Sequence, residues 1–123
     1  EFIGHSNVME AMVESVSPVR LKFMEEVFSC HSYPDLQIGQ TIKVLLRPEA
    51  LLIHQQKPTE SANLIVIKVI DATFKGPYVD YLVDFNGRRI KVHQSIHNGV
   101  QVLERGEKAY IAWSPDDMLI LRS

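Results

Sequence analysis

Cysteine is almost missing from this sequence. Cys30 stands alone, which excludes an intrachain disulfide and fits a reducing compartment. Long apolar runs are missing too, and none approaches the roughly 18 residues that a spanning helix requires. The opening stretch EFIGHSNVME has no basic region followed by an apolar one, so it does not read as a secretory signal. It also lacks an initiator methionine, which leads us to expect a piece of a longer chain. Charge of one sign is in short supply: 13 basic and 15 acidic side chains leave a formal net charge of −2. That balance does not suit a dedicated nucleic-acid binder, which usually carries a basic stripe and a high isoelectric point.

The motifs of catalysis and cofactor binding are absent as well. Glycine occurs only singly, at positions 4, 39, 76, 87, 99 and 106, so no G-x-x-x-x-G-K-[ST] phosphate loop exists. There is no H-E-x-x-H, no paired C-x-x-C and no G-x-S-x-G elbow. Cys30 and His31 are adjacent and are expected to face opposite sides of a strand. His93 and His97 have a helical ligand spacing, yet they fall at a strand end and in a polar loop, so no metal site is expected. Enzyme activity in this chain alone is not expected, and neither is a bound cofactor.

What is present describes an ordinary globular domain. Hydrophobic residues make up 46% and charged residues 23% of the 123 positions, enough for one compact domain or two very small subdomains sharing a core. Valine and isoleucine dominate the apolar set and turn signals recur at short intervals, which favours strands. One phrase is written twice. VLLRPEALLI (Val44 to Ile53) and IAWSPDDMLI (Ile111 to Ile120) align without a gap from Gly39 and Gly106 onward. Val44 meets Ile111, Pro48 meets Pro115, Glu49 meets Asp116, and Leu52-Ile53 meets Leu119-Ile120. Each copy reads as a glycine turn, a buried strand, a proline-acid corner and a second short strand. Proline lacks an amide hydrogen and ends its strand, and the following acid is suited to accept amide hydrogens at the corner. Such a duplicated unit suits an all-β, OB-fold-like small Greek-key barrel, or two of them, with similar halves near residues 1–57 and 58–123.

The clearest local structure is the hairpin from Tyr78 to His93, with Val79, Tyr81, Val83 and Phe85 alternating against Asp80, Leu82 and Asp84. Asn86-Gly87 supplies a type I′ turn. A long strand, Asn63 to Phe74, precedes it and closes at Gly76-Pro77. The N-terminal half reads as a shorter version, with strands Asn7 to Ser17 and Val19 to Val27 separated by Pro18. SCHSYPDLQIGQ is expected to be a loop, and His54 to Asn63 a link between the halves. No segment carries a convincing helical pattern; Ser95 to Gly106 is expected to hold at most one turn.

Six side chains stand out as corner, interface or ligand contacts. Arg88 and Arg89, with Lys91, put positive charge on one hairpin arm near Tyr78 and Tyr81. This is either a stacking-and-phosphate surface or a strand edge kept solvated by charge. Arg47 is placed to pair with Glu49 at the first corner or to clamp an anion. Trp113 takes the place of Leu46 in the second copy, for core packing or for a ligand. Asp116 has a structural place in the repeat before any role in a carboxylate pair with Asp117.

FIGHSNVMEA, LLRPEALLI, VIDATFKGPYVDYLVDFNGRRIKV and LERGEKAYIAWSPDDMLIL together resemble a TOBE domain, the transport-associated OB-fold module. The order is the family's: F-[IL]-G-x-x-N, R-P-E, F-x-G, and G-x-x-x-x-[IL]-x-W-x-P-[ED]-D. The resemblance covers nearly the whole chain and implies the C-terminal regulatory and dimerisation domain of the ATP-binding subunit of a bacterial ABC importer. Maltose, spermidine/putrescine and ferric-iron importers supply the nearest look-alikes. It further implies a cytoplasmic place at the inner face of the membrane, a homodimer, transporter membrane subunits as partners, and in some relatives a regulatory protein or small ligand. ATP and Mg are implied only for a preceding ATPase domain that this chain lacks. Members that bind molybdate carry S-A-R-N and then a glycine; here Ser61-Ala62-Asn63 lacks the arginine and Ile67 replaces the glycine, which argues against oxyanion binding. The alternative from a different class is a free-standing OB-type nucleic-acid-binding domain.

Overall fold

The computed structural model describes residues 2, 3, 6–96 and 102–121. Its strands are β1 (Phe2–Ile3), β2 (Ser6–Val16), β3 (Val19–Phe23), β4 (Glu26–Ser29), β5 (Thr41–Leu46), β6 (Leu52–His54), β7 (Asn63–Lys75), β8 (Tyr78–Phe85), β9 (Arg88–Ser95), β10 (Lys108–Trp113) and β11 (Leu119–Leu121). Single 3-10 turns at Pro48–Ala50 and Pro115–Asp117 are the only helical segments among the described residues. The one turn expected within Ser95–Gly106 falls largely on residues outside the described ones.

The protein is all-β, of the small OB-like barrel type, and its strands form two curled sheets. One runs β11-β5-β2-β3-β4 with β1 beside β2, and the other runs β6-β10-β7-β8-β9. All the pairings are antiparallel. Period-two alternation puts Val13, Leu21, Val44 and Leu46 of the first sheet and Val69, Val83, Phe85 and Ile111 of the second inward, all 2% exposed or less. They belong to one shared core cluster, and each such side chain removed from water contributes about 1.5–3 kcal/mol.

The duplication is visible in the backbone. β2 is bulged between Val13 and Ser15, and β7 between Val69 and Asp71. At the first bulge Val13 and the Gly39-Gln40 turn exchange bonds of 2.8 Å; at the second, Val69 does the same with Gly106 and Glu107 at 2.8 and 2.9 Å. Gly39 and Gly106 hold φ of 89° and 90°, a left-handed conformation that a side chain would strain. The halves do not fold apart. The short strand that ends each copy crosses to the other sheet, so Ile53 lies opposite Ile111 and Ile120 opposite Val44. The proline-acid corner is the device that carries the chain across.

Asn86 and Gly87, at φ 50° and 91°, make the expected turn between β8 and β9. Val19 to Val27 is not one strand. It folds back at Met24 and Glu25, which take positive φ values of 49° and 68°. The apolar alternation from Leu21 to Phe28 had no Gly, Asn or Pro to punctuate it. Tertiary pairing with β2 imposes the turn that local chemistry does not announce.

Candidate functional site

The two proline-acid corners are built alike and capped differently. Proline suits the first position of a helical turn, where its fixed φ fits and its missing N–H is not needed. At the first corner the Ala50 and Leu51 amides donate to Arg47 and Pro48 oxygens at 3.0 and 3.4 Å. At the second, Asp117 and Met118 donate to Ser114 and Pro115 at 2.9 and 3.3 Å. Buried Leu51 and Met118 anchor the exits. The acids do not cap. Ser114 Oγ accepts the Asp116 N–H at 3.2 Å, and Arg47 offers no side-chain cap at all. Arg47, Glu49 and Asp116 are all exposed, and among the described residues no ion pair joins Arg47 to Glu49. The expected corner pair is therefore absent, because the backbone turn is complete without it.

The basic arm is also divided differently from the expectation. Strand alternation sends Arg88 to the face of Ile90 and Val92, where its guanidinium lies 5.5 Å from the Phe23 ring centre. Phe23 in turn stacks on Phe85 at 6.1 Å. Arg89 falls on the opposite, outward face, across from Asp84. The three cations of the arm thus do not share a surface. Trp113 is buried at 6% exposure with its ring 5.2 Å from Phe28, and its indole N–H finds no partner among the described residues. Cys30 and His31 do not oppose each other as strand neighbours would. β4 ends at Ser29, and Cys30 Sγ comes within 3.8 Å of His31 Nδ1.

Two features escaped the sequence reading. The first is a groove between the Pro48–Ala50 corner and strands β7, β8 and β9, with Glu49, Lys75, Asp80, Tyr81, Lys91 and His93 along it. Asp80 is its hub, accepting from His93 Nδ1 at 2.6 Å and pairing with Lys75 Nζ at 3.0 Å, while Tyr78 lies against the His93 ring at 4.4 Å. Partial burial works against ionisation of Asp80, but the bonds from His93 and Lys75 outweigh it and hold the carboxyl below its ordinary value.

The second is a pair of buried asparagines. Asn7 Nδ2 donates to Lys91 O at 2.9 Å and Asn7 Oδ1 accepts from Lys91 N–H at 2.8 Å. Asn63 makes the same two bonds with Ser29, at 2.9 and 2.8 Å. Each side-chain amide acts as a short strand for an edge of the other sheet. A polar residue at the head of both long alternating strands was the available signal.

No group of three or more potential metal ligands occurs among the described residues. His97, the second member of the histidine pair, lies outside them. The single glycines at 39, 76, 87 and 106 each occupy a turn with positive φ.

The duplicated corners and the two strands exchanged between the sheets define a small OB-like β-barrel module. Residues 44–121 match the TOBE domain model, and the chain belongs to that family. It is 31% identical over 119 residues to a spermidine/putrescine import ATP-binding protein PotA of Haemophilus influenzae, covering 91% of this chain and 32% of that protein. A PotA of Vibrio parahaemolyticus is 33% identical over 118 residues, covering 91% and 31%. The chain thus spans about a third of the length of these curated relatives. In fold it is similar to the cytoplasmic molybdate-binding protein ModG, in a form with molybdate bound, with a TM-score of 0.79 and 11% identity over 98% of both chains. Among the described residues no helix is long and apolar enough to cross a membrane.

Proposed function

We propose that this chain is the C-terminal regulatory and dimerising domain of the ATP-binding subunit of a bacterial ABC importer, of the polyamine-importing kind. One observation carries the reading: the likeness to PotA proteins runs over 91% of this chain but only 32% of theirs. The remainder of such a subunit is where ATP and Mg act, since this chain holds no phosphate loop. In that setting the domain is non-catalytic, works at the cytoplasmic face beside the transporter's membrane subunits, and pairs with its counterpart on a second ATPase. A regulatory protein or small effector has the groove beside Asp80 available to it. The nucleic-acid alternative is disfavoured by the net charge of −2 and by the division of Arg88 from Arg89. Molybdate binding is disfavoured by the missing arginine and by Ile67, which is buried.

The test has two parts. The coding sequence upstream of Glu1 is expected to encode a phosphate loop and an ABC signature; a start codon there instead overturns the parentage. Sedimentation of the chain is expected to show concentration-dependent self-association. A monomer at the highest accessible concentration overturns the dimerising role while leaving the parentage standing.

A further inference from the structure

The outer face of the second sheet is unlike its duplicate, and the difference points to a partner. Across β6, β10 and β7 the register sets Leu52, Ala112 and Leu64 in one row, His54, Tyr110 and Val66 in the next. Lys108 and Lys68 follow, and that row continues through Asp84 to Arg89. The intervening residues Ile53, Ile111, Ile65, Ala109 and Ile67 belong to the core or pack on it, so these rows face away from it, with Leu52 and Val66 exposed, Leu64 and Tyr110 half-buried and Ala112 covered by its neighbours. Leu52 is 51% and Val66 48% exposed.

The first sheet serves as an internal control. With Asn7 matched to Asn63, and Gly39 to Gly106, Glu10 and Lys43 stand where the second sheet has Val66 and Tyr110. Glu10 and Lys43 lie directly opposite each other, the ordinary opposite-charge solution for a solvated sheet face. Met12 and Thr41 correspond to Lys68 and Lys108. The second copy has therefore replaced a charge pair with an apolar one and set two lysines across from each other. Like charges directly opposite are disfavoured in a free sheet. Among the described residues neither lysine has an ion pair; Lys108 Nζ lies 5.7 Å from the Tyr110 ring, and Asp84 has a carboxylate oxygen on the Gly87 N–H at 3.3 Å.

We infer that this face docks an acidic segment of a partner protein, one that lays apolar side chains on Leu52, Leu64 and Val66 and carboxylates on Lys68 and Lys108. Charge complementarity fixes the sign of the occupant. A second copy meeting this face with its own would supply two more lysines and Arg89 against Asp84 as the one acid of that row, which leaves these cations without matching carboxylates and disfavours self-pairing here. The strip is mainly aliphatic, whereas single-stranded nucleic acid is held by aromatic platforms.

The experiment is an NMR titration of the chain with a short synthetic peptide of alternating leucine and glutamate, against a leucine–lysine peptide as control. Amide shifts are expected at Val66, Lys68, Lys108 and Tyr110, with Lys108→Glu weakening binding roughly tenfold or more and Glu10→Lys leaving it unchanged. Lys108→Glu is also expected to raise the Tm of the free chain, because it converts a like-charge pair into an opposite one. Equal binding of both peptides overturns the inference, as do shifts confined to other surfaces and undiminished binding by Lys108→Glu. Preference of this face for single-stranded DNA, anionic vesicles or a second copy overturns it too.

Discussion

Asn7 and Asn63 hold matching two-bond grips on opposite sheets, Asn7 on Lys91 of β9 and Asn63 on Ser29 of β4. The two asparagines, at 2% and 1% exposure, are the only buried amide or charged side chains among the described residues. Each completes a strand edge that would otherwise leave a backbone N–H and C=O short of partners inside the molecule. Asn63→Ala removes both partners of Ser29 and is expected to cost about 2–4 kcal/mol, since each unsatisfied buried group costs about 1–3 kcal/mol. Urea unfolding checks this. A loss below about 0.5 kcal/mol, the size of an ordinary surface change, would mean that water replaces the amide without penalty.

The turn at Met24 and Glu25 is a second point where duplication supplies a test. It occupies the place that Asn86-Gly87 fills in the other half, with φ values of 49° and 68° against 50° and 91°. A left-handed conformation costs an ordinary L-residue about 1–2 kcal/mol. The exposed Lys22–Glu25 contact at 3.8 Å does little to offset that. The double change Met24→Asn, Glu25→Gly is therefore expected to stabilise the chain by about 1–2 kcal/mol. An unchanged urea midpoint would show that the turn carries no such strain in solution.

Those two regions mark how far the sequence could be read. The repeat, the Tyr78 to His93 hairpin and the all-β class were legible because alternation, Asn-Gly and the paired glycines act locally. The exchange of β6 and β11 was not, because Leu52-Ile53 and Leu119-Ile120 carry the same apolar pattern whichever sheet receives them. Nothing in Val19 to Val27 signals the turn at Met24, which arises from pairing with distant strands. The Arg47 and Glu49 pair failed for a related reason, since nearness in sequence at a corner does not bring exposed side chains together. Asp80 was read only as the polar side of a strand. Its role depends on His93 across the β8–β9 ladder and on Lys75 across the β7–β8 turn, a convergence no local window contains.

Asp80 gives the chain an acid-sensitive contact with a definite sign. Its folded carboxyl titrates below the ordinary 3.8. The stability it contributes is present above the unfolded value and is lost as pH falls through the folded one. Asp80→Asn is therefore expected to flatten the part of the acid-unfolding limb below 3.8, measured by circular dichroism against pH. The Tyr78–His93 ring contact is expected to loosen in the variant at neutral pH, seen as changed ring-proton shifts. An unaltered acid limb would show that other carboxylates govern it.

Trp113 and Tyr81 make a final contrast in which the smaller change costs more. Both side chains are buried, at 6% and 3% exposure. Tyr81 Oη accepts the N–H of buried Leu103 at 3.0 Å, so Tyr81→Phe leaves that donor without a partner at a cost of about 1–3 kcal/mol. The Trp113 indole N–H has no partner to lose among the described residues. Trp113→Phe therefore forfeits only packing against Phe28 and its neighbours, about 1 kcal/mol for a change that keeps an aromatic ring. Trp113→Ala, which empties the position, is expected to cost about 3–5 kcal/mol. The order Tyr81→Phe above Trp113→Phe, read from urea midpoints, distinguishes hydrogen bonding from volume as the quantity this core is sensitive to. The reverse order would show that the indole N–H is satisfied in solution or that Leu103 rebonds to water once the hydroxyl is gone.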